Sequence, residues 1–343
     1  MRTEMMDQPV TEPATMQAIV QDAYGEADDV LRLEQVDRPA IGDSEVLLRV
    51  QAAGVDRGVW HLMTGLPYPV RLAGYGMRAP KSRVRGREVA GRVEALGKDV
   101  TAFQVGDEVF GIAEGAFAEY ACAQPGKLAH RPENLTALEA AAVSVSALTA
   151  LQAVRDHGRV QAGQKVLVIG ASGGVGTFAV QIAKAYGAEV TGMCSTTKVD
   201  LVESIGADHV IDYTRADIAD GSHRYDVILD TGGNRPLRRL RDALTPRGSL
   251  VIVGGETGGR WLGGFDRGLR APVLSRLVRQ RLAALMCSEN AADLLVLAGL
   301  IESGKVTPVI DRTFPLSKTA AAIGYMQAGH ARGKVVIDLT GRR

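Results

Sequence analysis

One segment of the sequence combines residue types and spacing that suit the binding of a pyrophosphate. An apolar run, Lys165–Ile169, leads into a glycine-rich turn, and a helical pattern over Thr177–Ala185 follows. The candidate binding residues of the turn are Gly170, Ser172, Gly173, Gly174, Val175 and Gly176. Glycines permit a tight turn and a close backbone approach, and free amides at the start of a helix attract phosphate. The order strand, turn, helix therefore predicts a dinucleotide site, although the spacing is G-x-x-G-x-x-G.

The same turn is compatible with two other interpretations. Its letters also match G-x-S-x-G around Ser172, the nucleophile elbow of a hydrolase, with Asp230 and His330 following in the right order for a triad. A nucleophile elbow does not require Gly176, and a long β-rich region precedes the turn, so the dinucleotide site is favoured. A glycine turn that binds no ligand is the remaining alternative.

The residues after the second apolar run, Glu189–Met193, indicate which dinucleotide is bound. Enzymes that use NAD place an acidic residue about 20 positions past the glycine turn, where it binds the ribose 2′-hydroxyl. The next five residues here contain no carboxylate, but Ser195 and Lys198 suit a 2′-phosphate. We expect Tyr213 and Arg215 to close over that phosphate, which makes NADPH the predicted cofactor. The alternative for Lys198 is a solvated side chain that opens the next helix.

The predicted secondary structure changes in type near Ala137. Before it, short strands separated by turns predict a mostly β domain; after it, helical patterns alternate with short apolar runs, which is typical of a parallel sheet. The predicted strands of the first part are Gln17–Val20, Glu45–Ala52, Gly91–Leu96, Glu108–Phe110 and Phe117–Cys122. Those of the second part are Lys165–Ile169, Glu189–Met193, His209–Ile211, Asp226–Leu229 and Ser249–Val253, and the chain ends with helix Ser317–Gln327 and strand Lys334–Leu339. The predicted fold class is α/β.

Composition excludes several classes of protein. The 343 residues suffice for two domains, and 40 basic against 39 acidic side chains leave a net charge of +1, which argues against nucleic acid or an anionic membrane as partner. Three cysteines without a C-x-x-C pair exclude a disulfide framework and a four-cysteine zinc site. Residues 1–15 are interpreted as a disordered tail without signal-peptide character. With no apolar run long enough to span a bilayer, the predicted location is cytoplasmic.

Several further motifs accompany the glycine turn. They are Ala52-Ala-Gly-Val55, Gly86-Arg-Glu-Val-Ala-Gly-Arg-Val-Glu-Ala-Leu-Gly97, Val105-Gly-Asp-Glu-Val-Phe110, Gly115-Ala-Phe-Ala-Glu-Tyr120 and Gly333-Lys-Val-Val-Ile337. Together they resemble the medium-chain dehydrogenase/reductase superfamily, in particular its zinc-independent quinone oxidoreductase-like branch, over about residues 16–339. The resemblance implies a GroES-like domain from residues 16–142 and 312–343, and a Rossmann nucleotide-binding domain from residues 143–311. It also implies a substrate cleft between the two.

The positions that carry catalytic zinc in other members of the superfamily hold different residues here. A cysteine follows the Ala-x-Gly-Val motif in zinc enzymes, and a histidine precedes the glutamate of the Gly-His-Glu block; this chain has Asp56 and Arg87. The matching stretch Ala142–Ser146 has no cysteine, and the four-cysteine structural lobe is missing. One carboxylate does not make a tetrahedral zinc site, so no metal is predicted. The lone His61 is interpreted as a packed or solvated side chain.

The resemblance assigns roles to individual residues near the reaction centre. Thr149 is expected beside the nicotinamide, and the Gly254-Gly255 turn is expected to let the ring approach the backbone. Lys334 is placed among the cofactor-binding residues. Quinone oxidoreductase relatives usually have Asn where this chain has Asp56. An ionised Asp56 can only accept hydrogen bonds, so either it holds a ribose hydroxyl, or burial keeps it protonated and it donates to the substrate oxygen; the second is our hypothesis.

The predicted wall of the substrate cleft consists of Trp60, Met63, Tyr68 and the interrupted segment Leu66–Arg85. Packing of these side chains within the β domain is an equally good interpretation. The arginines of that segment could favour an acidic substrate, while a solvated loop is the simpler interpretation; they are Arg71, Arg78, Arg83 and Arg85. A second basic segment, Arg267–Met286, is compatible with a partner or membrane-surface helix, and a solvated basic face is favoured.

The predicted function is hydride transfer from NADPH to a quinone or an α,β-unsaturated carbonyl compound, without zinc. The alternative is an NADPH-binding regulatory or scaffold protein with little catalysis, and a zinc alcohol dehydrogenase comes third. The apolar run Leu282–Met286 is expected to pair edge to edge with a second copy, so the predicted assembly is a homodimer.

Overall fold

The protein is described by a computed structural model that covers residues 14–216, 218, 223–233, 235–255 and 259–341. Two sheets of contrasting type dominate it, and a two-stranded ribbon accompanies the first of them. Most of the predicted residues 1–15 tail lies outside the described residues, which begin one position before strand β1.

The first sheet is largely antiparallel and is built from both parts of the chain. Its strands are β3 (Val46–Val55), β4 (Glu88–Leu96), β5 (Glu108–Ile112), β6 (Tyr120–Ala123), β7 (Leu128–His130), β14 (Ile310–Pro315) and β15 (Lys334–Asp338). They pair in the order β14-β15-β3-β4-β5-β7, with β6 beside β3. The ribbon consists of β1 (Thr15–Val20) and β2 (Arg32–Asp37). The predicted return of the chain to its first domain therefore occurs through β14 and β15.

The second sheet is parallel throughout. Its strands are β8 (Lys165–Ile169), β9 (Glu189–Cys194), β10 (His209–Asp212), β11 (Tyr225–Asp230), β12 (Leu244–Ile252) and β13 (Arg281–Ala284). The order β10-β9-β8-β11-β12-β13 reverses direction at β8, and in such sheets ligands bind where the order reverses, at the carboxyl ends of the strands. This arrangement confirms the predicted α/β fold with a GroES-like domain and a Rossmann domain.

The helices cover the parallel sheet and join it to the antiparallel one. They are α1 (Ala27–Val30), α2 (Arg57–Thr64), α3 (Ala137–Ala141), α4 (Ser144–Gln152), α5 (Gly174–Ala185), α6 (Val199–Ser204), α7 (Leu237–Asp242), α8 (Gly259–Leu262), α9 (Phe265–Ser275), α10 (Ala291–Glu302) and α11 (Thr319–Gln327). Side-chain caps start several of them. Thr136 and Glu139 form a reciprocal capping box at α3, and the Asn290 side chain accepts the Asp293 amide at α10.

One continuous apolar core joins the two domains. Ala52, Ala90 and Phe110 of the antiparallel sheet belong to the same buried cluster as α4, α5 and the strands of the parallel sheet. A separate cluster fills the first domain, and another covers the opposite face of the parallel sheet. Because the core is shared, the cleft between the domains has a rigid base, and its outer part is closed by other contacts.

The basic segment after β12 agrees with the favoured interpretation of a solvated face at Arg270, Arg276 and Arg279, which are exposed, and departs from it at Arg267. Arg267 on α9 is buried and paired with the fully buried carboxylate of Asp230 at the end of β11. Leu269, Val273 and Leu277 are exposed instead. The reason is helical spacing: Arg267, Ala271 and Leu274 lie on the face of α9 that packs on the sheet, whereas Leu269 and Val273 lie on the outer face.

No helix among the described residues has the length and apolar character needed to cross a bilayer.

Candidate functional site

The glycine turn lies between the carboxyl end of β8 and the first turn of α5. Gly170 has a φ of 79°, a backbone conformation that favours glycine. A Cβ on Gly176 would lie 2.0 Å from the Gly170 carbonyl oxygen, so the first turn of α5 packs directly on the loop. The start of α5 has Gly173 as its N-cap and no side-chain cap, which leaves the first helical amides to an outside acceptor.

The last strand of the chain is hydrogen-bonded to this turn. The Gly333 amide donates to the Ser172 carbonyl oxygen at 2.9 Å, and Gly173 and Gly333 form a parallel bridge. Lys334, the next residue, is 2% exposed and pairs with the carboxylate of Glu88 at 2.5 Å. Its ammonium also donates to the Ser146 hydroxyl at 3.1 Å. We call Glu88, Ser146, Lys334 and the turn Gly170–Gly176 the domain seam.

Glu88 is the charged group that the seam encloses most completely. Burial raises the pKa of its carboxyl, the neighbouring Lys334 ammonium opposes this, and the Asp56 carboxylate adds to it. Its other oxygen accepts the Val145 amide at 2.7 Å. Gly54 makes the space, because a Cβ there would lie 2.2 Å from a Glu88 carboxylate oxygen. Motifs from three distant parts of the sequence therefore meet at one ion pair.

Asp56 lies at the N-terminus of α2, facing the same region. One carboxylate oxygen accepts the Val59 amide at 3.1 Å and caps the helix. The other oxygen is buried and has no hydrogen-bond partner among the described residues. Burial lowers the pKa of the nearby Arg87 guanidinium, but the carboxylates of Glu289 and Asp56 outweigh this effect and raise it. A buried oxygen without a partner is rare in native proteins and indicates a missing polar contact.

Thr149 is buried on α4, and its hydroxyl donates to the Val145 carbonyl oxygen at 2.7 Å. It lies beside Cys287 in the segment after β13. Burial raises the pKa of the Cys287 thiol, and the Thr149 hydroxyl is the largest influence in the other direction. Arg87 and Glu289 also act on this thiol, so Cys287 lies near both Thr149 and the Arg87–Glu289 ion pair.

The residues predicted to read the nucleotide lie together at the carboxyl ends of β9 and β10. The Tyr213 amide donates to the Cys194 carbonyl, directly before Ser195, and the Tyr213 side chain is exposed. The Lys198 ammonium donates to the backbone carbonyls of Gly329 and Ala331, at 3.0 and 2.9 Å. Burial lowers the pKa of Lys198.

A carboxylate that sequence analysis did not identify, that of Asp212, also lies at this edge of the sheet. Asp212 ends β10 and accepts hydrogen bonds from the hydroxyls of Thr196 and Thr214, which hold the pKa of its carboxyl below the usual range. Arg215, which was predicted to close over a phosphate, forms an ion pair with Asp212, with 3.4 Å between Nε and a carboxylate oxygen.

The Gly254-Gly255 turn lies at the carboxyl end of β12 and packs backbone to backbone with its neighbours. A Cβ on Gly254 would lie 2.6 Å from the Thr231 carbonyl oxygen, and one on Gly255 would lie 2.9 Å from the Gly264 backbone. Asp230 accepts the Gly233 amide and pairs with Arg267. Since these groups engage Asp230 and no contact joins it to His330 among the described residues, the geometry does not form a hydrolase triad.

A cavity of about 210 Å³ lies between α2 and the turn that follows β12. It is lined by Trp60, His61, Leu66, Pro67, Gly255, Gly259, Arg260 and Gly263. The two domains meet across its rim: the Tyr68 amide donates to the Arg260 carbonyl at 2.9 Å, and the rings of Tyr68 and Trp261 lie edge to face at 5.2 Å. We call residues 66–70 and 259–263 the cleft rim. Trp60 lines this cavity and Tyr68 lies at its rim, and their role as the substrate wall stays a prediction.

Met63 differs from that prediction. It is fully buried in the core of the first domain and lines neither described cavity. Met63 follows Val59 by four positions, so both lie on the face of α2 that packs inward.

A larger cavity of about 640 Å³ also borders α2. Val59, Leu62, Arg85, Arg87 and Cys122 are among its lining residues. Its volume is within the range of small-molecule sites. Sequence analysis missed this cavity because its lining comes from six separated segments of the chain.

Other residues that sequence analysis missed are Glu88, Cys287, Glu289 and Arg267. Glu88 lies inside a motif that carried the family resemblance, and this position in the motif was the available signal. The Glu289 carboxylate pairs with Arg87 and with the Lys127 ammonium, the latter at 3.0 Å. Glu289 is 202 positions from Arg87 in the chain. No local pattern predicts contacts of that separation.

The donor groups fit a dinucleotide better than a metal ion. The uncapped first turn of α5 offers amides for a pyrophosphate, and the orphaned oxygen of Asp56 offers an acceptor for a hydroxyl. The described residues contain no group of three or more histidine, cysteine or acidic side chains with the geometry of a metal site. At the positions of zinc ligands in related enzymes, Asp56 caps a helix and Arg87 pairs with Glu289.

Comparison with known proteins agrees with this architecture. Residues 42–133 match the alcohol dehydrogenase GroES-like domain family, and residues 205–337 match the family described as zinc-binding dehydrogenase. The mouse protein named "NAD(P)H oxidoreductase RTN4IP1, mitochondrial" is 34% identical, covering 94% of this chain and 89% of the relative. The tomato protein named "2-methylene-furan-3-one reductase" is 33% identical, covering 95% and 79%.

Solved structures place the chain in the same group. The quinone oxidoreductase from Coxiella burnetii superposes with a TM-score of 0.81 at 28% identity, covering 95% of this chain and 99% of that one. These similarities extend over nearly the whole chain, and the protein therefore belongs to the medium-chain dehydrogenase/reductase superfamily of oxidoreductases, in its quinone oxidoreductase-like group.

Proposed function

We propose that the protein is an NADPH-dependent reductase of quinones or α,β-unsaturated carbonyl compounds that works without zinc. The observation that carries this proposal is the uncapped start of α5 on the same side of the molecule as a cavity between the domains, lined by Trp60 and Gly255. The printed names of the relatives, an NAD(P)H oxidoreductase and a 2-methylene-furan-3-one reductase, support the same chemistry.

The chain's own residues bind, align and shield the reactants. When bound, the reduced nicotinamide supplies the hydride that a conjugated acceptor takes at carbon, with a proton from solvent completing the reduction. The amides of Gly174, Val175 and Gly176 hold the pyrophosphate, and Thr149 borders the nicotinamide. The Gly254-Gly255 turn contributes backbone to the same volume. The cleft rim excludes water, which favours alignment of donor and acceptor.

The zinc-free part of the proposal rests on what the candidate ligand positions already do. At the two positions that carry zinc ligands in related enzymes, this chain has one cation and one carboxylate. The cation is Arg87, which pairs with Glu289, and the carboxylate is Asp56, which caps α2. A tetrahedral site needs nitrogen, sulfur or several carboxylates in one sphere. This differs from the description of the zinc-binding dehydrogenase family that residues 205–337 match. Metal analysis of pure protein tests the point, and about one zinc per chain would contradict it.

Preference for NADPH is supported by Ser195, Lys198 and Tyr213 at one edge of the sheet. Lys198 has three donors, of which two are used by backbone carbonyls, and the third remains for a 2′-phosphate. We expect a Lys198→Met variant to lose about tenfold in its kcat/KM ratio of NADPH to NADH. Lys184→Met is the control, since Lys184 pairs with Asp208.

The first experiment is NADPH oxidation with 1,4-benzoquinone, 9,10-phenanthrenequinone and a series of 2-alkenals, run in parallel with NADH and with chelator present. Turnover selective for NADPH supports the proposal. Saturable NADPH binding without turnover of any acceptor would instead support the nucleotide-binding regulatory role.

Asp56 is proposed to contact the substrate oxygen or a ribose hydroxyl through its unpartnered oxygen. Asn is also a good helix cap, so Asp56→Asn keeps the bond to the Val59 amide and changes only the unpartnered oxygen. We expect a loss of turnover with little change in stability. Undiminished turnover would dismiss the hypothesis that a protonated Asp56 donates to the substrate.

A homodimer is proposed because β13 has a single partner strand, β12, among the described residues. Its free edge suits pairing with a second copy. Light scattering that returned 36.4 kDa would reject this proposal. The mouse relative is named as mitochondrial, and the cytoplasmic location of this protein stays a prediction.

A further inference from the structure

The cavity of about 640 Å³ contains a buried cation that the proposed reaction does not use. Arg85 lines the cavity and is 8% exposed, although it belongs to the arginine-rich segment for which a solvated loop was the simpler interpretation. Its guanidinium donates to the Ser82 carbonyl oxygen. Its Nε atom is buried and has no hydrogen-bond partner among the described residues.

Two other arginines of that segment, Arg83 and Arg71, have partners. Arg83 is half exposed and forms ion pairs with Asp22 at 2.7 Å and Glu34 at 2.8 Å. Arg71 lies over the ring of Tyr24 and donates to a backbone carbonyl. Among the described residues, no carboxylate forms an ion pair with Arg85. Burial lowers the pKa of its guanidinium, and the opposing influence is the hydroxyl of Tyr24.

The backbone holds Arg85 firmly in place. Its amide donates to the Ile19 carbonyl at 3.0 Å, and its carbonyl accepts the Phe117 amide at 2.8 Å. Gly86 follows with a φ of 96°, and a Cβ there would lie 2.4 Å from the Phe117 amide nitrogen. A pre-positioned donor loses little conformational entropy when it binds a ligand.

The same cavity reaches the region of Asp56. Arg87 and Val59 are among its lining residues, Asp56 accepts the Val59 amide, and the charge of Asp56 acts on Arg87. Arg87 and Lys127 both pair with Glu289, whereas Lys81 and Glu114, which also line the cavity, are exposed to solvent. Glu45, also in the lining, is bonded to Gln124 and the Gly42 amide. Arg85 is thus the buried donor that remains for a ligand in the cavity.

We propose that the substrate is a conjugated carbonyl compound bearing a carboxylate, which binds Arg85 in the large cavity while the reacting carbon lies toward Asp56 and Thr149. Burying a guanidinium without a counterion is unfavourable, and a carboxylate that accepts its donors removes this penalty. The inference rests on the proposed reductase function and names its substrate class. The reaction is unchanged: NADPH is oxidised to NADP⁺, and the enone takes up one hydride and one proton to become the saturated oxo acid.

The test compares one acceptor in two charge states. The probes are 4-oxo-4-phenyl-2-butenoate and its methyl ester, assayed with NADPH on the wild type, Arg85→Met and Arg83→Met. We expect the wild type to favour the acid, and Arg85→Met to lose about 10- to 100-fold in kcat/KM for the acid with a small change for the ester. Arg83→Met is the matched control and should keep the wild-type preference. Equal kcat/KM for acid and ester in the wild type would overturn the proposal.

A second measurement does not depend on catalysis. Calorimetric titration without nucleotide uses the saturated compounds 4-oxo-4-phenylbutanoate and its methyl ester, which are not reduced. Binding of the acid that is weakened by Arg85→Met and retained by Arg83→Met supports the carboxylate site even if neither acceptor is turned over, an outcome that would reject the reductase function alone. Absence of acid binding to the wild type would overturn the site. If Arg85→Met does not fold, Arg85→Lys replaces it and should weaken acid binding while keeping some preference over the ester.

Discussion

The domain seam and the cleft rim connect the same two domains by opposite means. In the seam, Glu88 and Lys334 are buried at 0% and 2% exposure and bonded to Ser146 and to backbone. In the rim, one backbone hydrogen bond and one pair of aromatic rings join Tyr68 to residues 260 and 261, and Trp261 is 74% exposed. The seam therefore carries the stability of the junction, and the rim can separate at low cost.

This difference matches the different tasks of the two regions. The seam holds the turn that binds a constant part of the ligand, the pyrophosphate, and gains from rigidity. The rim covers the part of the cleft where the acceptor must enter and leave, and weak contacts permit repeated opening. Four tests, from the largest expected effect to the smallest, examine this contrast.

The strongest test removes the buried cation of the seam. We expect Lys334→Met to lower the free energy of unfolding by about 3–5 kcal/mol, because the Glu88 carboxylate stays buried without its partner. Guanidinium unfolding measures this. The double variant Glu88→Gln/Lys334→Met should recover part of the loss, since no charge is left behind. Lys98→Met, which breaks an exposed pair with Asp43, should cost less than about 1 kcal/mol, and an equal cost for both lysines would contradict the contrast.

A second test introduces one methyl group into the glycine turn. Gly176→Ala places a Cβ 2.0 Å from the Gly170 carbonyl oxygen, so the loop must shift; we expect a loss of about 1–3 kcal/mol in stability and about tenfold or more in NADPH affinity. Fluorescence titration and thermal unfolding measure the two. Gly299→Ala on α10 is the matched control, because nothing lies within 4 Å of its Cβ. It should leave NADPH affinity unchanged.

A third test addresses the rim. We expect Tyr68→Ala and Trp261→Ala to change unfolding free energy little and to raise KM for the acceptor several-fold, because the rings close over the cleft. A double-mutant cycle on acceptor kcat/KM should give a coupling of about 0.5–1.5 kcal/mol between them. Additive effects would show that the rings act independently, and a loss of stability as large as that of Lys334→Met would remove the distinction between rim and seam.

The last test concerns two thiols that lie outside the seam and the rim, and it affects neither binding nor stability. Burial raises the pKa of Cys122, in the large cavity, and of Cys194, near the nucleotide edge, to about 11 each. At pH 8 the thiolate fraction is then roughly 200-fold below that of an ordinary cysteine, and reaction with a disulfide reagent should be slow until the pH approaches 11 or the protein is unfolded. Rapid reaction of Cys194 at pH 8 in the native protein would contradict the burial described here.

Sequence analysis predicted the seam's loop far better than the rim. Strand, turn and helix are adjacent in the chain, and Lys165–Ile169 is recovered as β8 without change because the signals at both ends are local. The predicted helix Thr177–Ala185 begins three residues earlier, at Gly174, since the glycines themselves form its first turn. The resemblance to the family identified motifs, but it did not show that Glu88 and Lys334 meet.

The substrate side was predictable only in part. Trp60 and Tyr68 line or close the cleft, whereas Met63 and Arg85 are buried where composition suggested a wall residue and a solvated charge. The burial of Met63 depends on which face of α2 packs inward. The burial of Arg85 depends on its backbone hydrogen bonds with Ile19 and Phe117, which are 66 and 32 positions away in the chain. Hydrophobicity and charge patterns do not encode such distant packing.

The position of Gly333 and Lys334 also has a consequence for biosynthesis. Lys334 neutralises Glu88, which is synthesised 246 residues earlier, and Gly333 bonds to the glycine turn. Until these two residues have left the ribosome, the Glu88 carboxylate has no counterion. The Rossmann strands are synthesised before them, so the parallel sheet can assemble while the nucleotide site is still incomplete. Premature termination before residue 333 would therefore yield a chain with a nearly complete core and an uncompensated buried carboxylate, a suitable target for cellular quality control.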